Sequence, residues 1–188
     1  TAWSAHPAGK TVAIFGLGPI GLMAITVCKA MGAGRVLAVG HKNQFRLDLA
    51  KKVGADRVLK DGDDVVRILQ EESGGDGVDE VLEFSGAPSA LQHGLDALKP
   101  AGGIHLLGTF TQSVTLDVSK AIVFKAARVV GIHGRRMFQD WQLMQGLLRS
   151  GKLNLDPIIT HKLRLAEYEK GFEAMDSANS GKVVMFVD

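Results

Sequence analysis

One cysteine, Cys28, stands in a chain of 188 residues. An internal disulfide framework is therefore excluded, and so is any zinc site built on two or more cysteines. Aromatic residues are scarce at 6%, and none forms a platform beside the basic residues, which argues against a nucleic-acid groove. The 5 prolines are too few for a fibrous or low-complexity chain. No basic start followed by an apolar stretch is visible, so no signal peptide is expected and the cytoplasm is the expected location. One uncharged run, residues 11–28, nears the ~20 residues of a membrane span. Gly16, Gly18, Pro19 and Gly21 interrupt it, so it reads as strand, sharp turn and helix, with no membrane partner.

What is abundant is glycine, with 23 residues against a usual share of ~7%. Apolar residues make up 46% and charged residues 22%, the composition of a globular chain with a real core. Net charge is +2, unevenly spread: residues 1–60 carry nine Lys and Arg against two Asp and Glu, and residues 61–100 carry two against ten. A basic first third suits phosphate groups, although a solvated face has the same signature.

Short apolar runs alternate with helical periodicity. Residues 11–15, 35–39, 57–59, 78–82, 103–107 and 128–132 are predicted strands. Between them, Ile20, Met23, Ala24, Val27, Cys28 and Met31 make an apolar stripe, followed by Phe45, Leu49 and Val53, then Val65, Ile68 and Leu69, then Leu91, Leu95 and Leu98. This alternation predicts an α/β fold with a parallel sheet covered on both faces, doubly wound by right-handed crossovers. The rhythm breaks near Gly151. A helix carrying Met137, Trp141, Met144 and Leu148 ends there, and an extended stretch, a helix over 165–175 and a strand over 182–187 follow. Residues 1–151 are read as one domain. Residues 152–188, too few to close a core alone, are read as part of a second whose other half lies elsewhere.

Gly16-Leu17-Gly18-Pro19-Ile20-Gly21 is a G-x-G-x-x-G directly after a strand and at the opening of an amphipathic helix. In a dinucleotide-binding turn the first glycine allows the tight bend. The second lets backbone approach a pyrophosphate, and the third lets helix and strand pack closely. Free N–H groups at the helix start would receive the anion; Pro19 in the first turn costs little because its missing N–H has no partner there. Two look-alikes fail. Gly9-Lys10-Thr11 precedes a strand and has Ser4 where a P-loop needs its first glycine. Asp61-Gly62-Asp63-Asp64 sits just before a helical stripe, where capping is the expected role. The six histidines show no i,i+4 pair and no partner ligands.

These features, with GPIGLMAI at 18–25, RLDLAKKVGAD at 46–56, GVDEVLEFSGAP at 77–88, GRRMF at 134–138 followed by Trp141, and SGKLNLDPIITHK at 150–162, resemble the zinc-type medium-chain alcohol dehydrogenases. More narrowly they resemble the threonine dehydrogenase branch. The resemblance implies the cofactor-binding Rossmann half of an NAD(P)-dependent enzyme, strand order 3-2-1-4-5-6. Its catalytic and structural zinc sites would belong to a missing catalytic domain, and this chain alone would be inactive. It implies a small-molecule secondary alcohol as substrate, and a homodimer, extending to a tetramer, paired through the edge strand 128–132. For site residues it implies Leu17 to Ile20 at the pyrophosphate and Arg46 at the adenosine ribose. Phe84, Ser85 and Gly86 would flank the adenosine side, with Leu107, Gly108, Ile132 and His133 toward the nicotinamide. Two alternatives stand beside this: a dehydrogenase of another secondary alcohol or polyol, and a stand-alone nucleotide-binding sensor.

Two positions depart from the family. Its usual acidic residue at the end of the second strand is replaced by Gly40-His41-Lys42, with no carboxylate until Asp48, and His133 stands where Thr is usual. The resemblance implies NAD. Gly40-His41-Lys42, with Arg46 one helical turn beyond Lys42, fits the 2′-phosphate of NADP instead, and both cofactors stay open at this point.

Overall fold

The computed structural model describes residues 2–60 and 64–187. A short helix α1 (Ala2–Ala5) precedes strand β1 (Thr11–Phe15), helix α2 (Pro19–Ala30), β2 (Arg35–Gly40), α3 (Gln44–Lys52), β3 (Arg57–Lys60), α4 (Val65–Glu72), β4 (Val78–Glu83), α5 (Pro88–Ala97), β5 (Leu98–Leu106) and β6 (Arg128–Gly131). Helix α6 (Gln139–Arg149), strand β7 (Ile159–Arg164), helix α7 (Tyr168–Asp176) and strand β8 (Lys182–Phe186) complete the chain. The first six strands form one all-parallel sheet in the order β3-β2-β1-β4-β5-β6. This is the expected Rossmann order. Strands β7 and β8 pair, also in parallel, in a separate two-stranded sheet.

Strand alternation sorts the core onto two faces. Val12 and Ile14 of β1, with Val36 and Ala38 of β2, pack under Leu22, Ile25 and Cys28 of α2 and Leu47 and Ala50 of α3. Ala13 and Phe15, with Leu37 and Val39, face the other way, against Val65 and Leu69 of α4 and Leu91 and Leu95 of α5. The C-terminal stretch is anchored to the first face, because Ile158 is buried in that same cluster and Leu155 packs against it.

Several local expectations change. In α2 the buried side is Gly21, Leu22, Ala24, Ile25, Thr26 and Cys28, while Ile20, the first residue of the predicted stripe, is 50% exposed. That helix is apolar almost all round, so spacing alone does not choose its face. Leu98, predicted on the fourth helical stripe, opens β5 and pairs with Val78 before a register shift brings Gly103 opposite Glu80. The helix ends because the Lys125 ammonium donates to the carbonyls of Leu95, Asp96 and Leu98, satisfying groups a further turn would have used. Asp64 occupies the N-cap of α4 without a cap bond and pairs with Arg67 Nε at 2.9 Å instead; Asp61, Gly62 and Asp63 lie outside the described residues. Helix α6 buries none of its residues, so Trp141 and Leu148 of the predicted stripe remain exposed. Among the described residues, no helix is long and apolar enough to cross a membrane.

Candidate functional site

The carboxyl ends of β1, β2 and β4 converge beside the start of α2, and each glycine of the motif has a separate physical task there. Gly16 has φ +92°, and its N–H donates to Val39 O at 3.0 Å. A Cβ at this position would stand 2.8 Å from the Ser85 backbone nitrogen, so the β1 turn and the β4 loop can approach only through glycine. At Gly21 a Cβ would fall 1.9 Å from Gly16 O, which forces the helix to pack on its own turn without a side chain. Gly18 is different. A Cβ there would meet nothing within 4 Å; it faces open space. It is the N-cap of α2, no side chain caps it, and Pro19 follows at the first helical position. The helix start thus has the geometry of an anion site, with the N–H groups of its first turn lacking intrahelical partners.

A cleft of about 380 Å³ opens at this junction. Of the sequence-predicted residues, Gly16, Leu17, Gly18, Gly40, His41, Arg46, Phe84 and Ser85 line it; Pro19, Ile20, Gly21 and Lys42 do not, and neither do Gly86, Leu107, Gly108, Ile132 and His133. Leu17 is 5% exposed and its side chain belongs to the core, so only its backbone is free to face an anion. The remaining residues lie on the neighbouring strand ends. Leu107 N and Gly108 N both donate to Glu83 O at 3.0 Å, and Ile132 N donates to Leu106 O at 2.8 Å. Gly86 (φ +68°) would drive a Cβ to 2.3 Å from Thr109 O, and Gly108 to 2.3 Å from Gly86 N. The loops after β4 and β5 therefore touch backbone to backbone. His133 lies beyond β6 and is exposed.

Sequence reading missed three participants. Glu83 is fully buried, yet its carboxylate meets backbone rather than a cation: it accepts from Ser85 N at 2.7 Å, from Gly86 N at 3.0 Å and from the Ser85 hydroxyl. A buried anion satisfied this way pins the Phe84–Gly86 turn at the cleft wall. Asn43 caps α3 through Oδ1, which accepts from Arg46 N at 2.9 Å, and its Nδ2 donates to Ala178 O at 3.1 Å. His93 enters the lining from α5, one turn after Ser89. Asn three residues before Arg46 was a legible cap signal, whereas nothing local distinguishes Glu83 or His93.

Among the described residues no group of three or more His, Cys, Asp or Glu could hold a metal ion. Cys28 is buried, and burial pushes its thiol up to about 12, which suits a packing residue rather than a ligand or nucleophile.

Comparison with known proteins agrees with this geometry. The family model described as zinc-binding dehydrogenase matches residues 19–150. L-threonine 3-dehydrogenase of Pyrococcus furiosus is 50% identical over 182 residues, covering 96% of this chain and 52% of that protein. The Bacillus velezensis enzyme of the same name is 44% identical, covering 97% and 52%. Among solved structures, an alcohol dehydrogenase from Thermotoga maritima superposes with a TM-score of 0.87 at 30% identity, over 97% of this chain and 51% of that one. The 2R,3R-butanediol dehydrogenase of Bacillus subtilis does so with 0.85 at 31%, over 96% and 51%. The chain spans about half the length of the relatives it matches.

Proposed function

The chain belongs to the zinc-binding dehydrogenase family, and from that premise we propose that it is the nicotinamide-dinucleotide-binding half of an enzyme that oxidises a secondary alcohol, with L-threonine as the first substrate to test. The observation that carries the reading is the Gly18 cradle. Gly16 and Gly21 are demanded by packing, but nothing in the fold requires glycine at 18, where φ is −71° and a Cβ would hang in open space. Close approach of a ligand to the backbone gives that glycine a purpose.

In this reading the first turn of α2 donates to the pyrophosphate, with Gly18 keeping the approach clear. Residues 40–46 take the adenosine ribose, and the turn held by Glu83 closes the wall opposite. Leu107, Gly108, Ile132 and His133 lie toward the nicotinamide. The bound cofactor supplies the hydride acceptor; the protein supplies position and electrostatics. The zinc-ligating and proton-handling groups belong, on this reading, to the part of the relatives not covered here, so the chain alone turns over no threonine and holds no stoichiometric zinc. Residues 152–188 are the return segment of that other domain, and the open β6 edge is where two copies meet.

Gly18→Val tests the cradle. Because the site is open and its φ ordinary, the variant is expected to fold and melt like the parent while losing NAD(P) binding by at least about tenfold in calorimetric titration. Undiminished binding would reduce the motif to a structural turn. Stoichiometric zinc by elemental analysis, or threonine turnover by the purified chain, would overturn its assignment as a cofactor half. Likeness to 2R,3R-butanediol dehydrogenase favours a second reading, a vicinal diol as substrate, which separates from the first in rate assays on threonine and butanediol with the enzyme that contains this chain.

A further inference from the structure

Away from the dinucleotide cleft, three residues from distant parts of the chain stand in one line. The Ser4 hydroxyl of α1 lies 2.7 Å from His105 Nδ1 of β5, and His105 Nε2 lies 2.8 Å from Oε2 of Glu80 on β4. None of the three lines the cleft, and the dinucleotide reading gives them no task. His105 and Glu80 are each 1% exposed, whereas Ser4 is only half-buried. The line therefore runs from the interior to a partly exposed hydroxyl.

The surroundings fix the direction of the hydrogen bonds. Lys10 Nζ and Arg128 Nη2 both donate to Glu80 Oε1, at 2.7 and 2.8 Å, and hold the carboxylate ionised. An ionised carboxylate only accepts, so the N–H of a neutral His105 ring sits on Nε2 and points at Oε2. That leaves the Nδ1 lone pair for the Ser4 O–H. Gly103, opposite Glu80 in the sheet, gives the carboxylate room to lie toward the imidazole, since a Cβ there would stand 2.3 Å from Oε2. Lys10 Nζ also donates to Ala5 O at 2.9 Å, so the cation that anchors Glu80 holds α1 beside the ring as well. A purely structural histidine needs only that both ring nitrogens be satisfied. An activated serine needs the basic nitrogen on the hydroxyl side and a carboxylate behind the ring, and that is the arrangement the charges select.

We propose that Ser4 is a nucleophile activated by His105 and Glu80, and that it is a site of covalent acylation by activated esters. Ser4 Oγ forms a bond to the acyl carbon as the bond from that carbon to the leaving oxygen breaks. The hydroxyl proton passes to His105 Nδ1 and from there to the leaving oxygen, which returns the ring to its neutral form. The products are an ester on Ser4 and a free alcohol or phenol, with no oxidant or reductant consumed. The site stands on α1, β4 and β5 and does not depend on the dinucleotide reading.

Reaction of the purified protein with p-nitrophenyl acetate tests it, with p-nitrophenolate release followed by absorbance and the acetylated peptide identified by mass spectrometry. A stoichiometric burst is expected, with the acetyl group on the peptide that carries Ser4, and Ser4→Ala is expected to remove both. His105→Gln retains an amide able to bond both neighbours but has no base, and is expected to slow the burst at least about a hundredfold. Thermal melting verifies that the variants fold. Ser4→Ala removes only a half-buried hydroxyl, so it decides the outcome even where His105→Gln does not fold. Acetylation confined to lysine side chains, or a burst unchanged in Ser4→Ala or in folded His105→Gln, overturns the nucleophile and leaves the three residues a structural network.

Discussion

Glu83 illustrates how much one side chain can organise at the carboxyl end of a strand. Its buried carboxylate takes the N–H groups of Ser85 and Gly86 and the Ser85 hydroxyl, and its carbonyl takes those of Leu107 and Gly108. Glu83→Gln keeps the size but sets an NH2 against backbone donors. It is expected to destabilise the chain by about 1–3 kcal/mol in urea unfolding and to weaken dinucleotide binding through a loosened turn. Loss of binding without loss of stability would contradict that role. The glycines divide in the same physical way: Gly16 and Gly21 answer to atoms of their own fold, while Gly18 answers to empty space. The spacing of the motif already assigned a different task to each of the three; the structure adds the atoms that a Cβ at each would meet.

Among the elements, β6 is one of the two edge strands of the large sheet, the other being β3. Among the described residues no strand lies on its outer side, and Val129 is 44% exposed. Such an edge invites pairing with a second copy across a twofold axis. The expected outcome is a dimer by sedimentation velocity at micromolar concentration, converted to monomer by Val129→Pro, because Ile132 N bonds Leu106 O and the alternation of the strand turns the Val129 N–H to the outer edge. A monomeric parent, or a dimer indifferent to the proline, rejects this edge as the contact. Helix α6 was legible as a helix, but its predicted burial was not fulfilled within this chain, since periodicity records which face is apolar and not what covers it. The extended stretch after Gly151 was legible too; its parallel pairing with the last strand was not, because β7 and β8 are brought together by α7 between them.

At the scale of the whole molecule, a buried polar network crosses the sheet. Glu80, 1% exposed, accepts from Lys10 Nζ at 2.7 Å and Arg128 Nη2 at 2.8 Å, and bonds His105 Nε2 at 2.8 Å. Gly103 makes the room, since a Cβ there would lie 2.3 Å from Glu80 Oε2. Burial pushes the Glu80 carboxyl up, but the bonds from His105 and Lys10 outweigh it and hold the group below its ordinary value. Asp79 and Asp56 are likewise lowered against burial, by Lys99 and the Thr11 N–H and by the Val36 N–H and Lys29 respectively. Native values below the unfolded ones mean that this stability is complete above the ordinary carboxylate range. It is lost as pH falls through the native values. Urea midpoints are therefore expected to hold from neutrality down to about pH 5 and to drop below about pH 4, with a smaller acid-side drop in Glu80→Gln, itself less stable at neutral pH. A midpoint independent of pH between 5 and 3 would contradict it.

The sequence by itself determined the doubly wound architecture and the glycine turn, which follow from short-range causes: apolar periodicity of strands and helices, the handedness of their crossovers, and the demand for glycine at a bend. The strand order was implied by the family resemblance and is the order the sheet adopts. The sequence also exposed the missing acid at Gly40-His41-Lys42, a purely local fact. Only the tertiary structure decided which face of α2 is buried, that Asp48 turns away from the cleft, and that Glu83, Asn43 and His93 belong to its surroundings. Those outcomes depend on contacts between residues far apart in the chain, as when Asn43 meets Ala178. No pattern along one segment encodes what a distant segment will set against it.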